Sequence, residues 1–259
     1  MSSHRARKRF GQHFLVDAGV INSILRAIAP AASDTIVEIG PGLGALTESL
    51  ARSAGQLHLV ELDRDLAAAL RTRWADNDRV TVHEADALKF DFAALGNSLR
   101  IVGNLPYNIS TPLLFHLLEQ RDAITDMHFM LQKEVVDRIA ALPGRKAYGR
   151  LSVMLQAHLV TEALFDVPPD AFDPPPAVTS GVLRLYAKPP GDERPADDAL
   201  LSALLAKAFG QRRKTLRNSL RGEADEADLA ACGISSGDRA EAVPVDAWIR
   251  LATRIGARS

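Results

Sequence analysis

The sequence predicts an α/β fold in which a parallel, doubly wound sheet is followed by a small all-helical domain. Two observations support this prediction. Short apolar segments typical of strands alternate with helical periodicity up to about residue 158, and only helical patterns follow the proline-rich segment 189–195. The chain has 259 residues, of which 47% are hydrophobic, enough for a buried core. We therefore expect domains at 1–190 and 191–259.

The elements follow one another regularly along the chain. The predicted strands are 35–39, 57–62, 79–83, 99–102 and 127–131, with two further β-like segments at 160–167 and 178–186. The predicted helices of the first domain are 20–29, 45–54, 63–74, 111–119, 133–141 and 148–158. Those of the second are 199–209, 215–220, 224–231 and 246–255. Strands joined through helices at this spacing pair in parallel, and their carboxyl ends then share one edge.

Composition and charge narrow the functional classes. The single cysteine, Cys232, excludes an intramolecular disulfide and fits a reducing cytosol. No apolar stretch is long enough to span a membrane, so we expect a cytoplasmic protein. The net charge of −1 argues against a uniformly basic nucleic-acid binder. Two basic clusters, 5–9 and 207–221, are nevertheless typical of phosphate contacts.

Several catalytic patterns are missing from the sequence. Its seven histidines are scattered without metal-ligand spacing, so no metal site is expected. Neither a Gly-x-Ser-x-Gly elbow nor a Gly-x-x-x-x-Gly-Lys loop occurs. Common hydrolase and P-loop functions therefore lack their central residues.

A glycine loop follows the first predicted strand. Gly40-Pro41-Gly42-Leu43-Gly44 comes directly after that strand and opens the next helix. Glycines at such a turn let backbone N–H groups and the helix N-terminus approach a ligand closely. Gly40 and Gly42 are therefore candidate cofactor-binding residues.

Acidic residues lie at the ends of three successive predicted strands. Glu38, Glu61 and Asp86 occupy these positions. An acid at the second strand end can accept both ribose hydroxyls, and an acid at the third can accept an adenine amine. The same pattern also fits a nicotinamide-dependent dehydrogenase, but nothing in 104–107 carries hydride or proton-relay chemistry. The set favours S-adenosylmethionine as cofactor.

The tetrapeptide Asn104-Leu105-Pro106-Tyr107 follows the fourth predicted strand. An exocyclic base amine is a poor nucleophile because its lone pair is delocalised into the ring. The side-chain oxygen of Asn104 and the backbone carbonyl of Leu105 can each accept one amine hydrogen and leave the lone pair free. Pro106 stiffens the turn, and Tyr107 offers a ring for an extruded base. The stretch predicts a site of base-amine methylation.

A second aromatic residue lies on a proline-rich connection. Phe172 precedes Asp173-Pro174-Pro175-Pro176, which cannot continue a helix or a central strand. A ring held on so stiff a loop would suit a second face for base stacking. Phe172 is therefore a candidate site residue.

The chain resembles the small-subunit ribosomal RNA adenine dimethyltransferase family. The resemblance rests on Lys8-Arg9-Phe10-Gly11-Gln12-His13-Phe14-Leu15, on 37–44, on 104–112 and on Gln211-Arg212-Arg213-Lys214-Thr215. It also includes 129–134 and 148–152, and it extends from about Arg7 to the last helix. The co-occurrence of these motifs is far more specific than any one of them.

This resemblance implies dimethylation, from S-adenosylmethionine, of two adjacent adenines near the 3′ end of small-subunit rRNA during late subunit assembly. It implies a Rossmann-like domain followed by a helical one. We expect a monomer that binds the assembling small subunit and no membrane. Carried over by position, the cofactor residues would be His13, Leu15, Gly40, Glu61, Asp86 and Asn104. Many family members have Asn where this chain has His13.

The expected RNA contacts come from the appended domain. The basic residues concerned are Arg212, Arg213, Lys214 and Arg217. Three alternatives stay open at this point: a methyltransferase acting on DNA adenine, one acting on large-subunit rRNA, and a non-catalytic assembly factor.

Overall fold

The computed structural model describes residues 13–211 and 213–258. The basic cluster 5–9, the motif residues Phe10, Gly11 and Gln12, and Arg212 lie outside the described residues. The chain forms two compact units. One comprises the chain up to Val136 together with Glu162–Tyr186, and the other comprises Asp137–Thr161 together with the chain from Ala187 onward. The division into domains 1–190 and 191–259 stays a prediction.

Strands and helices alternate along the described chain. The strands are β1 (Phe14–Leu15), β2 (Thr35–Ile39), β3 (Gln56–Glu61), β4 (Val80–Glu84), β5 (Leu99–Asn104), β6 (Ile124–Gln132), β7 (Leu159–Val167), β8 (Phe172–Asp173) and β9 (Ser180–Ala187). The α-helices are α1 (Ala18–Ile28), α2 (Thr47–Ser53), α3 (Arg64–Arg73), α4 (Ser110–Glu119), α5 (Lys133–Ile139), α6 (Arg150–Gln156), α7 (Asp198–Phe209), α8 (Leu216–Ser219), α9 (Glu226–Ala231) and α10 (Val245–Gly256).

The main sheet has seven strands in the order β4-β3-β2-β5-β6-β9-β7. Strands β4, β3, β2, β5 and β6 pair in parallel, whereas β9 is antiparallel to β6. The chain passes from β7 to its neighbour β9 without an intervening α-helix, and such a short connection permits the chain to reverse direction within the sheet. The predicted α/β architecture is confirmed. The predicted parallel arrangement holds for β2 to β6, whereas β9, whose direction the sequence left open, is antiparallel.

The parallel strands bury apolar side chains, as expected for a sheet covered on both faces. Every residue of β2 after Thr35 is buried, and Leu57 and Leu59 of β3 are almost fully buried. Gly103 allows a close approach inside the sheet, because a Cβ there would lie 2.6 Å from the carbonyl oxygen of Ile39. The sheet therefore places the end of β5 directly beside the end of β2.

Arg100 ties the opposite, amino-terminal end of the sheet to the first helix. Its guanidinium forms a bidentate pair with Asp126 of β6, at 2.9 and 2.8 Å, and a third bond of 2.7 Å to Asp34. It also donates to the carbonyl oxygen of Ile28, at 2.6 Å, near the C-terminus of α1. Carbonyls at a helix end lack intrahelical donors, so Arg100 both pairs two carboxylates and caps α1.

The second unit is helical from α7 onward, as the sequence predicts. Its core includes Trp248 of α10 and Tyr148, both fully buried. The hydroxyl of Tyr148 donates to the carbonyl oxygen of Val243 at 2.8 Å, and its ring makes an edge contact with Phe209 at 6.2 Å between centroids. None of the helices within the described ranges is both long and apolar enough to cross a membrane.

We expect Arg100→Met to destabilise the protein strongly, because it leaves Asp126 buried without its cation and α1 without its cap. Removing one partner of a buried ion pair lowers the free energy of unfolding by about 3–5 kcal/mol. Urea unfolding measures this change. The matched control is Arg52→Met, which removes a 67% exposed arginine paired with Glu48 at 3.5 Å. For Arg52→Met we expect the free energy of unfolding to fall by about 0.5 kcal/mol. If it falls no further in Arg100→Met, the stabilising role assigned to Arg100 is wrong.

Candidate active site

A pocket opens at the carboxyl ends of β2, β3, β4 and β5. It is lined by residues of the glycine loop, of the three strand ends and of the Asn104 motif, together with residues 13–15. All the residues that the sequence indicates for the cofactor line this one pocket: His13, Leu15, Glu38, Gly40, Gly42, Glu61, Asp86 and Asn104. Leu105, Pro106 and Tyr107 line it as well. Their grouping follows from the parallel register, which brings successive strand ends together.

The glycine loop has a backbone conformation that glycine adopts readily. Gly40 and Gly42 both have positive φ, at 64° and 57°. A Cβ on Gly42 would also lie 3.2 Å from the ring of Phe14, which lines the pocket. The loop thus exposes its backbone to the pocket while an aromatic ring packs against it.

Glu61 is held by the backbone around it. One carboxylate oxygen accepts from the N–H of Gly42 at 3.2 Å, and the other accepts from the N–H of Asp63 at 2.9 Å. Burial raises the pKa of Glu61, and these backbone bonds oppose the rise. Each oxygen keeps further acceptor capacity, so the carboxylate can take two hydroxyls of a ribose.

Asp86 follows β4 and is only partly buried. Its Oδ1 accepts a hydrogen bond of 3.0 Å from the N–H of Leu88. This bond orients the carboxylate, and Oδ2 can accept from another donor. An adenine amine is a donor of the required kind. Together with Glu61 and the glycine loop, Asp86 makes a donor and acceptor set that fits an adenosine.

The orientation of the Asn104 side chain is determined by a hydrogen bond to the backbone of His13. Its Nδ2 donates to the backbone carbonyl oxygen of His13 at 3.1 Å. Because a carbonyl oxygen can only accept, the amide nitrogen must face His13, and Oδ1 is left to accept from a ligand. Leu105 is buried, and its N–H donates to the carbonyl oxygen of Met130 at 3.1 Å.

Tyr107 and His13 are held in place together. Their rings stack with centroids 6.0 Å apart and an interplanar angle of 25°. The Tyr107 hydroxyl shares a hydrogen bond of 2.8 Å with the Ser180 hydroxyl. The His13 ring contacts the carbonyl oxygen of Pro174 through Nδ1 at 2.8 Å, so Nδ1 must carry the proton. The Tyr107 ring is thereby fixed at the wall of the pocket.

Phe172, the second aromatic candidate, packs in the core and is not among the residues that line the pocket. Its side chain is 4% exposed and belongs to the core, where β8 pairs with β1 through Leu15 opposite Phe172. Stacking on an extruded base would require this ring to leave the core. The catalytic assignment of Phe172 stays a prediction.

Sequence reasoning did not single out several residues that complete the pocket. Leu43 and Leu62 line it although they are 49% and 50% exposed, which is unusual for large apolar side chains. Thr47 is buried and donates to Glu38 at 2.7 Å. The position of Leu43 between two loop glycines was a usable signal, whereas the contact between Thr47 and Glu38 depends on how α2 packs.

A sequence model of the family described as ribosomal RNA adenine dimethylase matches residues 3–256 of this chain. The chain belongs to this family. The enzyme is accordingly an S-adenosylmethionine-dependent methyltransferase that modifies rRNA adenine, and the cofactor predicted from the strand-end acids is confirmed. The dehydrogenase alternative is wrong.

Close relatives share the full length of the chain. A protein of Aromatoleum aromaticum named ribosomal RNA small subunit methyltransferase A is 56% identical over 259 residues, covering 100% of this chain and 97% of that protein. A protein of Bordetella petrii with the same name is 57% identical over 251 residues, covering 97% and 95%.

Solved structures show the same fold. A dimethyladenosine transferase from Plasmodium falciparum has a TM-score of 0.81 at 23% identity, covering 95% of this chain and 98% of that chain. The 23S rRNA methyltransferase ErmE has a TM-score of 0.74 at 25% identity, covering 94% and 99%. The family's methyltransferase fold therefore extends over nearly the whole of this chain.

We expect Glu61→Ala to weaken S-adenosylmethionine binding about 10- to 150-fold, the equivalent of charge-assisted hydrogen bonds worth about 1.5–3 kcal/mol. Calorimetric titration measures this change. The matched control is Glu84→Ala, since Glu84 lies opposite Glu61 in the strand register but pairs with Arg71 outside the pocket. If the wild type and Glu61→Ala bind S-adenosylmethionine with equal affinity, Glu61 is not part of the cofactor site.

Proposed function

We propose that the enzyme dimethylates two adjacent adenines near the 3′ end of small-subunit rRNA in an assembling small ribosomal subunit. The close relatives that cover nearly the whole chain carry the name of small-subunit methyltransferases, which supports this substrate. The observation that carries the chemistry is the fixed orientation of Asn104, whose Oδ1 is left to accept from a ligand in the pocket.

One set of pocket residues would bind the cofactor, and another would bind the target base. His13, Leu15, Glu38, Glu61, Asp86 and the loop glycines would hold S-adenosylmethionine, which when bound supplies a methyl group on a sulfonium. Asn104 Oδ1 and the Leu105 carbonyl would accept the hydrogens of the adenine amine, so that its lone pair faces that methyl group. Tyr107, fixed by His13 and Ser180, would stack on the extruded base.

The second methyl transfer places a further demand on the same acceptors. A monomethylated amine keeps one N–H, so one acceptor must tolerate a methyl group where a hydrogen was. Leu105 is buried and its N–H is bonded to the Met130 carbonyl, which restrains its backbone. The Asn104 side chain is restrained as well, by the bond from its Nδ2 to the His13 carbonyl, so the target amine and not the acceptors would have to adjust.

The second unit would hold the RNA through exposed cations. Arg213 and Lys214 are exposed and immediately precede Thr215, the N-cap of α8. Arg217 lies on α8 and pairs with Glu226 at 2.9 Å, which offsets part of its charge. We therefore assign the stronger phosphate contacts to Arg213 and Lys214. The contribution of Arg212 stays a prediction, because that residue lies outside the described part of the chain.

Product mapping tests the proposed substrate. The enzyme is incubated with S-adenosylmethionine and either undermethylated small subunits, large subunits, naked rRNA or duplex DNA, and modified adenines are located by mass spectrometry. Two adjacent dimethylated adenines near the 3′ end of the small-subunit rRNA are expected. Preferential modification of the large subunit or of DNA would overturn the proposal. The proposal of a cytoplasmic monomer is tested by sedimentation of the pure enzyme and by fractionation of cells.

We expect Asn104→Ala to reduce methyl transfer about 10²- to 10³-fold, a barrier increase of about 3–4 kcal/mol, because a preorganised acceptor of the target amine is lost. Single-turnover transfer to undermethylated small subunits measures the rate. Cofactor affinity should fall much less, since Glu61 and Asp86 remain. Asn97→Ala, at an exposed loop position outside the pocket, is the matched control. If cofactor affinity in Asn104→Ala falls as much as the rate of methyl transfer, Asn104 is mainly a cofactor ligand.

We expect the double variant Arg213→Ala and Lys214→Ala to bind the small subunit with a weaker salt dependence. Each lost phosphate contact should lower the slope of log affinity against log salt by about 0.7–0.9. Filter binding at several salt concentrations gives the slope. The control variant replaces Arg26 and Arg52 by alanine, two exposed arginines of the other unit. Equal slopes in both double variants would show that Arg213 and Lys214 are merely solvated.

A further inference from the structure

Glu38 is a buried carboxyl group in the wall of the cofactor pocket. It lies on β2, is 3% exposed, and lines the pocket together with Glu61. One of its oxygens, Oε2, accepts a hydrogen bond of 2.7 Å from the hydroxyl of Thr47, which begins α2 and is itself 1% exposed. The group is thus fixed in place and nearly inaccessible to water.

The groups around Glu38 do not compensate a negative charge. Glu61 on β3 has the same sign and disfavours the ionised form of Glu38. The histidine in the lining, His13, donates from Nδ1 to the Pro174 carbonyl instead. Within the described residues, neither Glu38 nor Glu61 forms an ion pair with a lysine, arginine or histidine.

An uncompensated buried carboxyl group resists ionisation. Burial, together with the charge of Glu61, raises the pKa of Glu38 to about 7, against the opposing effect of the Thr47 hydrogen bond. At neutral pH, Glu38 is therefore poised between its neutral and charged forms. A cation bound in the pocket would stabilise the charged form of Glu38.

We propose that Glu38 allows the pocket to distinguish the methyl donor from the demethylated product, by ionising when the sulfonium cation binds. The inference rests on the assignment of this pocket to S-adenosylmethionine. The donor carries a positive sulfonium, whereas S-adenosylhomocysteine has a neutral thioether and is otherwise the same molecule. Glu38 is therefore a specificity residue for the charge of the cofactor.

The electrostatics favour this coupling. Because Glu38 is 3% exposed, the attraction between its carboxylate and a sulfonium in the pocket is weakly screened, so the bound donor stabilises the ionised form of Glu38 and its proton passes to solvent. After methyl transfer the positive charge is gone, and Glu38 takes up a proton again. The product then lacks the stabilisation that the donor had, which favours its release.

Proton linkage gives a measurable signature. The ratio of the dissociation constants of S-adenosylhomocysteine and S-adenosylmethionine is measured by calorimetry from pH 6 to pH 8. Both ligands carry the same amino and carboxyl groups, but the sulfonium lowers the pKa of the donor's amino group, so the titration of each free ligand is measured separately and its contribution is subtracted from the ratio. For a carboxyl group that titrates near pH 7 and ionises fully with the donor, the ratio should rise about tenfold over this range. At pH 7, titration in buffers of different ionisation enthalpy should show about half a proton more released by the donor than by the product.

Two variants separate Glu38 from the other acids. Glu38→Gln should make the ratio independent of pH and remove the difference in proton release. Thr47→Val removes a bond that favours the carboxylate, so the rise in the ratio should move to higher pH, whereas Thr47→Ser should keep the wild-type profile. Retained binding of S-adenosylhomocysteine shows that each variant is folded.

The outcomes are distinct. A ratio independent of pH in the wild type would overturn the inference, and so would an unchanged pH dependence in Glu38→Gln. Binding of neither ligand to the wild type would instead overturn the assignment of the pocket. Should Glu38→Gln fail to fold, the wild-type profile and its shift in Thr47→Val decide the question.

Discussion

The parallel pairing of β5 beside β2 is the constraint on which the site depends. It brings Gly103 next to Ile39 so closely that a side chain at 103 would meet the Ile39 carbonyl oxygen at 2.6 Å. Asn104 follows Gly103 on β5, and Gly40, where the glycine loop begins, follows directly after β2. Asn104, the proposed acceptor for the target amine, and the glycine loop proposed to bind the cofactor are thus held together by the sheet itself.

A second set of contacts completes the pocket from the start of the chain. Residues 13–17 are attached to β5 through Asn104 and to the segment around β8, where Ala171 accepts from Val16 and Asp17 and Pro174 accepts from His13. The imidazole of His13 and the ring of Tyr107 stack in the same place. The His13 ring both donates a hydrogen bond and stacks. The amide of Asn104 therefore owes its orientation to a segment 91 residues away in sequence.

Charge is divided between the two parts of the reaction. The pocket lining contains Glu38, Glu61, Asp63 and Asp86, which suits a cofactor carrying a sulfonium. Exposed arginine and lysine residues before α8 suit the RNA phosphates. The net charge of −1 hides this separation, because opposite charges at different sites cancel in the total. Under the proposed function, local placement and not overall charge would allow one chain to bind both a cation and a polyanion.

The fold class and the acidic and amide side chains that meet in the pocket could be predicted from the sequence. Strand β2 was predicted at its observed bounds, and Glu38, Glu61, Asp86 and Asn104 meet because alternation of strands and helices forces parallel strands with a common carboxyl edge. Tertiary structure alone decided the antiparallel β9, the burial of Phe172 in the core and the bonds from Thr47 to Glu38 and from Asn104 to His13. Periodicity reports which face of an element is apolar, whereas these features depend on how distant elements pack and on which side-chain atoms then come within hydrogen-bond distance.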